Sequence, residues 1–262
     1  MRSFFPFLSL ISIFFLSSCH GILDGVYDDD EDDDDAADVE NVLKVDASSW
    51  TEWHYIDFSQ IKESIANGNA DTTPGVVTCA IPLEAQGDTL KVEPSGEVPG
   101  VWMRWYDVFG EGLSRNEFRH FYQIGAQPEP QDWDIAVHRD NVRTNGGAVC
   151  ETQYTSMDDL PESSESFSDA KFVADEWNTT DVWTVQDRML QGIIGSQSIK
   201  LNTVLSSWLS VNIPPIPPTF THNSHVFIVR FKDGTHAAVQ LANYRNAKGV
   251  KCYLTINYKY PY

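Results

Sequence analysis

Basic residues are scarce in this 262-residue sequence, in which 18 lysines and arginines stand against 38 aspartates and glutamates. The formal net charge is −20. Eleven of the acids lie between residues 19 and 40, where there is no lysine or arginine, and 27 acids still exceed 17 bases from residue 41 onward. Because proteins bind phosphate backbones through basic patches, we expect no nucleic-acid partner.

Motifs that mark catalysis are also missing. The sequence contains no nucleotide-binding glycine loop, no Gly-x-Ser-x-Gly elbow, no His-Glu-x-x-His and no paired Cys-x-x-Cys. Carboxylates are plentiful, but none lies in a context that indicates an acid/base pair. We therefore predict a protein that is not an enzyme.

Cysteines are few and widely spaced. After Cys19 there are only Cys79, Cys150 and Cys252. In an oxidising compartment two of these three could form a disulfide and leave one thiol, and the alternative is three buried, small apolar residues. The wide spacing argues against a metal cluster, and we predict no metal site of that kind.

The first apolar run is too short to span a membrane as a stable anchor. Arg2 precedes an apolar run from Phe4 to Leu16, which ends in Leu16-Ser17-Ser18-Cys19. Small residues before a cysteine resemble the bacterial lipobox. We expect residues 1–18 to be a lipoprotein signal peptide and Cys19 to carry the lipid that anchors the protein. The alternative, an ordinary secretory signal, also places the protein outside the cytoplasm.

Residues 19–40 contain a dense acidic block from Asp28 to Asp35. Like charges at this density repel one another, so we predict a disordered tether. A flexible run of aspartates would bind Ca²⁺ without selectivity.

The body from residue 41 onward has few helical patterns and many short strands. Around Trp133, Ile135 and Val137, apolar and polar residues alternate, which predicts a strand with one buried face. The segments 225–231 and 236–241 flank an Asp-Gly turn signal and predict a hairpin. A short helix is expected over 60–66. We predict an all-β protein of mostly antiparallel sheets with few short helices.

Side chains that could ligate iron or line a groove lie in the second half of the chain. His222 stands beside a proline-rich segment, and Met189 carries a thioether that can bind haem iron. Trp208 and Phe220 could line a groove for a flat apolar ligand. For each of these residues, ordinary packing is the alternative interpretation.

Several stretches resemble one family in the same order along the chain. They are residues 44–48 and 53–55, the stretch 132–149 (DWDIAVHRDNVRTNGGAV), Trp208-Leu209, residues 226–230, Gly249 and residues 255–261. Together they resemble the HmuY-like surface lipoproteins of Bacteroidetes, whose best-known members bind haem. The resemblance covers roughly 42–58 and 131–262, so 41–262 is interpreted as one HmuY-like β domain with an insertion at about 59–130.

The resemblance implies haem held near the strand tips by two axial side chains, His or Met. In this resemblance one ligand position corresponds to Ile213, which cannot bind iron but could line a pocket. The other position falls around Met189. A complete axial pair is therefore not evident, and His222 would substitute only through a shift in register.

The resemblance also implies a location. Acid-rich segments after the lipidated cysteine resemble signals that send Bacteroidetes lipoproteins to the outer face, although here the block begins nine residues after Cys19. We expect an outer-membrane lipoprotein on the cell surface that binds haem for iron acquisition and uptake by a membrane transporter of the TonB-dependent kind. The alternative is a binding or adhesion module that has lost haem ligation and recognises another small molecule or a host protein.

Overall fold

Short β-strands form nearly all of the regular structure in this computed structural model. The structure describes residues 41–68, 75–84, 89–90, 100–105, 117–122, 124–178, 182–188, 193–212 and 217–262. The predicted signal peptide, the acidic tether and Cys19 lie outside these residues. Within the described residues, no helix is both long enough and apolar enough to cross a membrane.

The elements of the described residues follow one another in a long series of strands with two α-helices. The strands are β1 (Val42–Asp46), β2 (Glu52–Ile56), β3 (Val76–Ala80), β4 (Thr89–Leu90), β5 (Gly100–Trp105), β6 (Glu117–Tyr122), β7 (Ile135–His138), β8 (Asn141–Thr144), β9 (Ala148–Glu151), β10 (Val173–Ala174), β11 (Glu176–Asn178), β12 (Trp183–Val185), β13 (Ile193–Leu201), β14 (Leu209–Asn212), β15 (Thr219–His222), β16 (Phe227–Arg230), β17 (His236–Arg245) and β18 (Lys251–Lys259). The helices are α1 (Phe58–Ala66) and α2 (Thr203–Ser206), with 3₁₀ turns at Met157–Asp159 and Ser164–Phe167.

These strands form four sheets, and the pairings between them are antiparallel. One sheet has the order β1-β18-β17-β16-β9-β10 and another has the order β3-β2-β7-β8. A third has the order β11-β13-β5-β6-β4, with β12 also paired to β13, and β14 pairs with β15. The prediction of an all-β, mostly antiparallel fold with few short helices is confirmed.

The four-stranded sheet is the middle layer of the molecule. On β7, Ile135 and Val137 belong to the main core, whereas Ala136 belongs to a second core that also contains Trp53 and Tyr55 of β2. Successive side chains of a strand point to opposite faces, so both faces of this sheet are covered. The predicted strand is confirmed over Ile135–His138, whereas Trp133 lies before it. The expectation of a single buried face is wrong, because both faces of the sheet are covered.

The main core lies between the six-stranded sheet and the middle layer. Helix α1 closes one end, where Phe58 is fully buried and its ring lies 5.2 Å from the ring of Tyr258. Asp57 caps this helix by accepting a hydrogen bond from the Gln60 amide at 2.9 Å. The short helix expected over 60–66 is thus confirmed, and it begins two residues earlier.

The predicted hairpin is present as β16 and β17. Val229 pairs with Ala237, and the turn passes through Gly234 with φ of +88°. A positive φ favours glycine, which has no Cβ to clash with the backbone. Asp233 Oδ1 accepts hydrogen bonds from the amide and hydroxyl of Thr235, which further stabilises the turn.

The segment interpreted as an insertion, 59–130, contributes to the shared sheets. Its strand β3 pairs with β2, and β5 pairs with β13 from the second half of the chain. The described part of this segment therefore does not form a unit of its own.

Candidate functional site

The two segments singled out for ligand binding are connections between paired strands. Met189 lies between β12 and β13, and Ile213 lies between β14 and β15. Both residues are outside the described part of the chain. What the structure describes is the surface at the base of the β14–β15 hairpin.

His222 is the last residue of β15 and is half-buried. Its Nε2 lies 2.7 Å from the carbonyl oxygen of Leu241 on the neighbouring β17. A carbonyl oxygen only accepts hydrogen bonds, so Nε2 carries the proton and donates it. The neutral ring then keeps its lone pair on Nδ1, which is the nitrogen left for a metal or a hydrogen-bond donor.

The ring of Tyr244 contacts His222, and a second ring and two cations lie beside this pair. Phe220 and Tyr244 stack nearly parallel, with centroids 5.7 Å apart and an interplanar angle of 12°, and the ring of His222 meets Tyr244 edge-on at 5.8 Å. Lys251 Nζ lies 4.6 Å from the centroid of Phe220, and the guanidinium of Arg245 lies 4.9 Å from that of Tyr244. We name these five half-buried residues the hairpin platform.

The hairpin platform is suited to a flat ligand that carries negative groups. Stacked aromatic rings supply apolar contact area, and cations at their faces can pair with carboxylates. Sequence reasoning found Phe220 and His222 but missed Tyr244, Arg245 and Lys251. They come from β17 and from the start of β18, and only the pairing of β17 with β18 and the packing of β15 bring them to this surface.

Trp208 lies elsewhere. Its ring is fully buried in the main core, and its Nε1 has no hydrogen-bond partner among the described residues. In this structure Trp208 is a packing residue and forms no wall of an open groove.

The stretch around His138 is a structural element. His138 is fully buried, with Nδ1 2.8 Å from the carbonyl oxygen of Glu52 and Nε2 2.9 Å from that of Trp183. Burial lowers the pKa of His138 to about 4, although both carbonyl contacts favour the protonated ring. Because the ring is fully buried and a backbone carbonyl oxygen lies within 2.9 Å of each nitrogen, it does not offer a ligand to iron.

Arg139 completes this structural element. It adopts a positive φ of 55° at the two-residue connection between β7 and β8. Its Nη1 donates to the carbonyl oxygen of Ser48 at 2.7 Å, and its guanidinium lies 4.1 Å from the centroid of Trp50. We name His138, Arg139, Trp50 and Trp53 the buried clamp, since the ring of Trp53 lies 5.2 Å from that of His138.

The cysteines are thiols. Cys150 and Cys252 are buried and Cys79 is half-buried, and none of the three is paired in a disulfide. Of the two alternatives left open by the sequence, the structure has the one without a disulfide. Across the residues that the structure describes, no group of three or more His, Cys, Asp or Glu side chains could hold a metal ion.

Comparison with known proteins decides the family. The HmuY protein family model matches residues 49–258, which is most of the chain and includes the segment interpreted as an insertion. The chain belongs to the HmuY family. No match was found among curated proteins.

Solved structures from Bacteroidetes share the fold. A predicted HmuY-like haem-binding protein of Bacteroides vulgatus is 31% identical, with a TM-score of 0.54, covering 84% of this chain and 91% of its own. A predicted lipoprotein of Bacteroides fragilis is 28% identical, with a TM-score of 0.56, covering 84% and 89%. The apo HmuY analogue of Tannerella forsythia is 19% identical, with a TM-score of 0.55, covering 85% and 97%, and supports the fold alone.

Proposed function

We propose that this HmuY-family protein is a lipid-anchored, non-enzymatic protein that binds haem at the cell surface and delivers it to a transporter of the outer membrane. Family membership and the similarity to a predicted haem-binding protein support this proposal. The observation that carries it is the hairpin platform, which combines stacked rings, two cations and a histidine beside the connection that contains Ile213.

The residues present fit haem in kind. Met189 would be one axial donor through its thioether, and His222 is the candidate for the second. The aromatic pair of the platform would contact the macrocycle, and Lys251 and Arg245 would pair with the propionate carboxylates. Bound haem would supply an iron centre for axial ligation, and the protein would supply binding, orientation and exclusion of water.

The hydrogen bond from His222 to the Leu241 carbonyl oxygen restricts how this histidine could ligate iron. Because Nε2 donates to Leu241, ligation through Nε2 would require this bond to break. Ligation through Nδ1 would keep this hydrogen bond. However, Nδ1 is adjacent to the ring carbon that carries Cβ, so the residue's own backbone hinders the approach of a large planar ligand. We therefore expect Met189 to contribute more to haem affinity than His222.

A second candidate function follows from the same hydrogen bond. If His222 stays bound to Leu241 and Ile213 stands where relatives have a ligand, the platform would hold a flat anionic molecule, or a host protein, without iron. The stacked Phe220–Tyr244 pair would still provide the contact surface.

A haemin titration distinguishes the two functions. Purified protein is titrated with oxidised and with reduced haem, and the Soret band is followed for the wild type, Met189→Ala and His222→Ala. We expect a sharp Soret shift in the wild type and at least tenfold weaker binding in Met189→Ala, because a deleted axial bond has no replacement.

His225→Ala is the matched control. His225 lies three residues from His222, and its Nδ1 lies 2.7 Å from Glu151 Oε1. This variant should bind haem as the wild type does. If the wild type gives no Soret shift in either oxidation state, haem binding is excluded and the second function stands.

We also propose that Cys19 carries the lipid. Membrane fractions from cells grown with a labelled fatty acid should contain the labelled wild-type protein, because acyl chains on one residue anchor a protein stably. Cys19→Ser should lose the label and enter the soluble fraction. If the wild-type protein is secreted without the label, the proposed lipid anchor is wrong. This outcome would not bear on haem binding, which the haemin titration tests separately.

A further inference from the structure

A cavity of about 360 Å³ opens beside β13, away from the hairpin platform. Residues of β13, the segment 124–129, Arg143 of β8 and Trp177 of β11 line it. Small-molecule pockets commonly have volumes of about 300–1,000 Å³, so this cavity is at the lower end of that range.

The strand register separates this cavity from the segment that contains Met189. The cavity lies at the end of β13 where Ser198 pairs with Gly100. Met189 precedes the opposite end, where Ile193 pairs with Trp105. None of the described residues that line the cavity is a His, Met, Cys or Tyr, so they offer no ligand for haem iron.

Two glutamine amides with a defined orientation face each other at the wall of the cavity. The indole Nε1 of Trp53 donates to Gln197 Oε1 at 2.9 Å, and Gln197 Nε2 donates to Gln127 Oε1 at 3.0 Å. Because an indole only donates, it determines which atom of each amide is oxygen. Gln197 Nε2 makes no other hydrogen bond among the described residues.

The cavity also contains donors without a partner. The residue Ser198 is 1% exposed, and its Oγ has no hydrogen-bond partner among the described residues. Arg143 Nε also has no hydrogen-bond partner among the described residues, whereas Arg143 Nη1 lies 2.7 Å from Glu129 Oε1.

The charges and the aromatic ring narrow the class of ligand. The Arg143–Glu129 pair offers a donor and an acceptor side by side without net charge. Lys200 Nζ lies 5.8 Å from the centroid of Trp177 at the exposed rim. A hydroxyl can donate and accept, so it can pair with both Arg143 and Glu129, whereas an ionised carboxylate only accepts and would be repelled by Glu129.

We propose that this cavity is a second binding site for a neutral, polyhydroxylated small molecule, a saccharide of one ring, which contacts the amides of Gln127 and Gln197 and the ring of Trp177. The site is independent of the proposed haem function. The protein would then bind two different ligands at two separate sites.

Titration of the full-length protein with D-glucose, D-galactose and N-acetyl-D-glucosamine tests the proposal. Saturation-transfer NMR and calorimetry should detect saturable binding of at least one sugar, with Kd on the order of 1 mM. Ala126→Trp, at an exposed position of the lining, should fill the cavity and weaken binding at least tenfold without disturbing the core. Trp177→Ala should weaken it to a similar extent.

Ala174→Trp is the matched control, since it adds the same side chain at an exposed position outside the lining. It should bind sugar as the wild type does. The proposal is overturned by three results: no saturable binding of any of the three sugars, equal binding by Ala126→Trp, or saturable binding of inorganic phosphate or citrate alone.

A haemin titration of Ala126→Trp separates the two functions. Unchanged haem binding together with lost sugar binding supports two sites, and loss of both ligands would overturn the second site. Sugar binding by a wild-type protein that gives no Soret shift would leave this site standing and remove only the haem function.

Discussion

The buried clamp and the hairpin platform use the same kinds of side chain for different purposes. Each has a histidine held by backbone carbonyl oxygen and an arginine over an aromatic ring. In the clamp, a carbonyl oxygen lies within 2.9 Å of each nitrogen of His138 and the ring is fully buried. In the platform, one carbonyl holds His222 and the surrounding rings are half-buried.

The position of a histidine and its neighbouring arginine within the layers of the fold therefore decides whether they stabilise the core or border a ligand surface. The clamp lies at the end of β7, in the sheet that is covered on both faces, so its polar atoms must find partners within the protein. The platform lies at a hairpin base beside the outer sheet, where surface remains for a ligand. Residue type alone does not distinguish them.

Replacing each histidine should break the comparison most clearly. We expect His138→Ala to lower the free energy of unfolding by about 3–5 kcal/mol, because it leaves a cavity and removes the hydrogen bond that the neutral ring donates to a backbone carbonyl oxygen. His222→Ala should cost about 1 kcal/mol, the usual value of one hydrogen bond. Urea denaturation followed by tryptophan fluorescence measures both, and equal losses would mean that the two regions do not differ in this way.

Arg139 allows a sharper test within the clamp. Arg139→Ala should cost about 2–3 kcal/mol through the lost bond to Ser48 and the lost contact with Trp50. Arg139→Gly loses the same contacts but tolerates a φ of 55°, so it should be about 1 kcal/mol more stable than Arg139→Ala. The same denaturation assay compares them, and a glycine variant less stable than the alanine variant would argue against backbone strain at this position.

The smallest expected effect is on pH dependence. Burial lowers the pKa of His138 to about 4, so the unfolded chain binds more protons there and stability rises with pH from about 4 to 6.5. Burial raises the pKa of Asp134 to about 6, although the hydrogen bond that its carboxylate accepts from the Phe58 amide acts to lower it. The folded protein therefore binds more protons at this group, and stability falls as pH rises from about 4 to 6.

Asp134→Asn separates these opposing slopes. Asparagine keeps an acceptor for the Phe58 amide but does not titrate, so the variant should gain stability between pH 4 and 6 more steeply than the wild type, by up to about 1 kcal/mol per pH unit. Denaturation curves at pH 4, 5 and 6 test this. Asp158→Asn removes the same charge at an exposed position of the 3₁₀ turn, and a steeper slope in both variants would assign the effect to net charge.

Much of the fold could be predicted because short-range signals encode it. The alternation along β7, the Asp-Gly turn before β17 and the helix over α1 each depend on neighbouring residues. The pairing of β5 with β13 joins residues far apart in the chain, and no local pattern specifies such a partner. For the same reason, the local pattern did not predict that both faces of β7 are covered.

The candidate site was less predictable than the fold. His222 and Phe220 attracted attention through their type and their place beside prolines. Trp208 attracted it for the same reason, yet its ring is fully buried. Tyr244 and Lys251 carried no signal, since an aromatic residue and a lysine on amphipathic strands usually serve packing and solubility.

The sequence by itself determined the secondary structure, the family and the kinds of side chain that are available, because strand periodicity, turn chemistry and the stretch around His138 are properties of neighbouring residues. Only the tertiary structure decided which histidine is enclosed and which borders a ligand surface, and which polar atoms are left to line the cavity beside β13. These outcomes depend on how sheets stack on one another, and stacking places residues together that are a hundred positions apart.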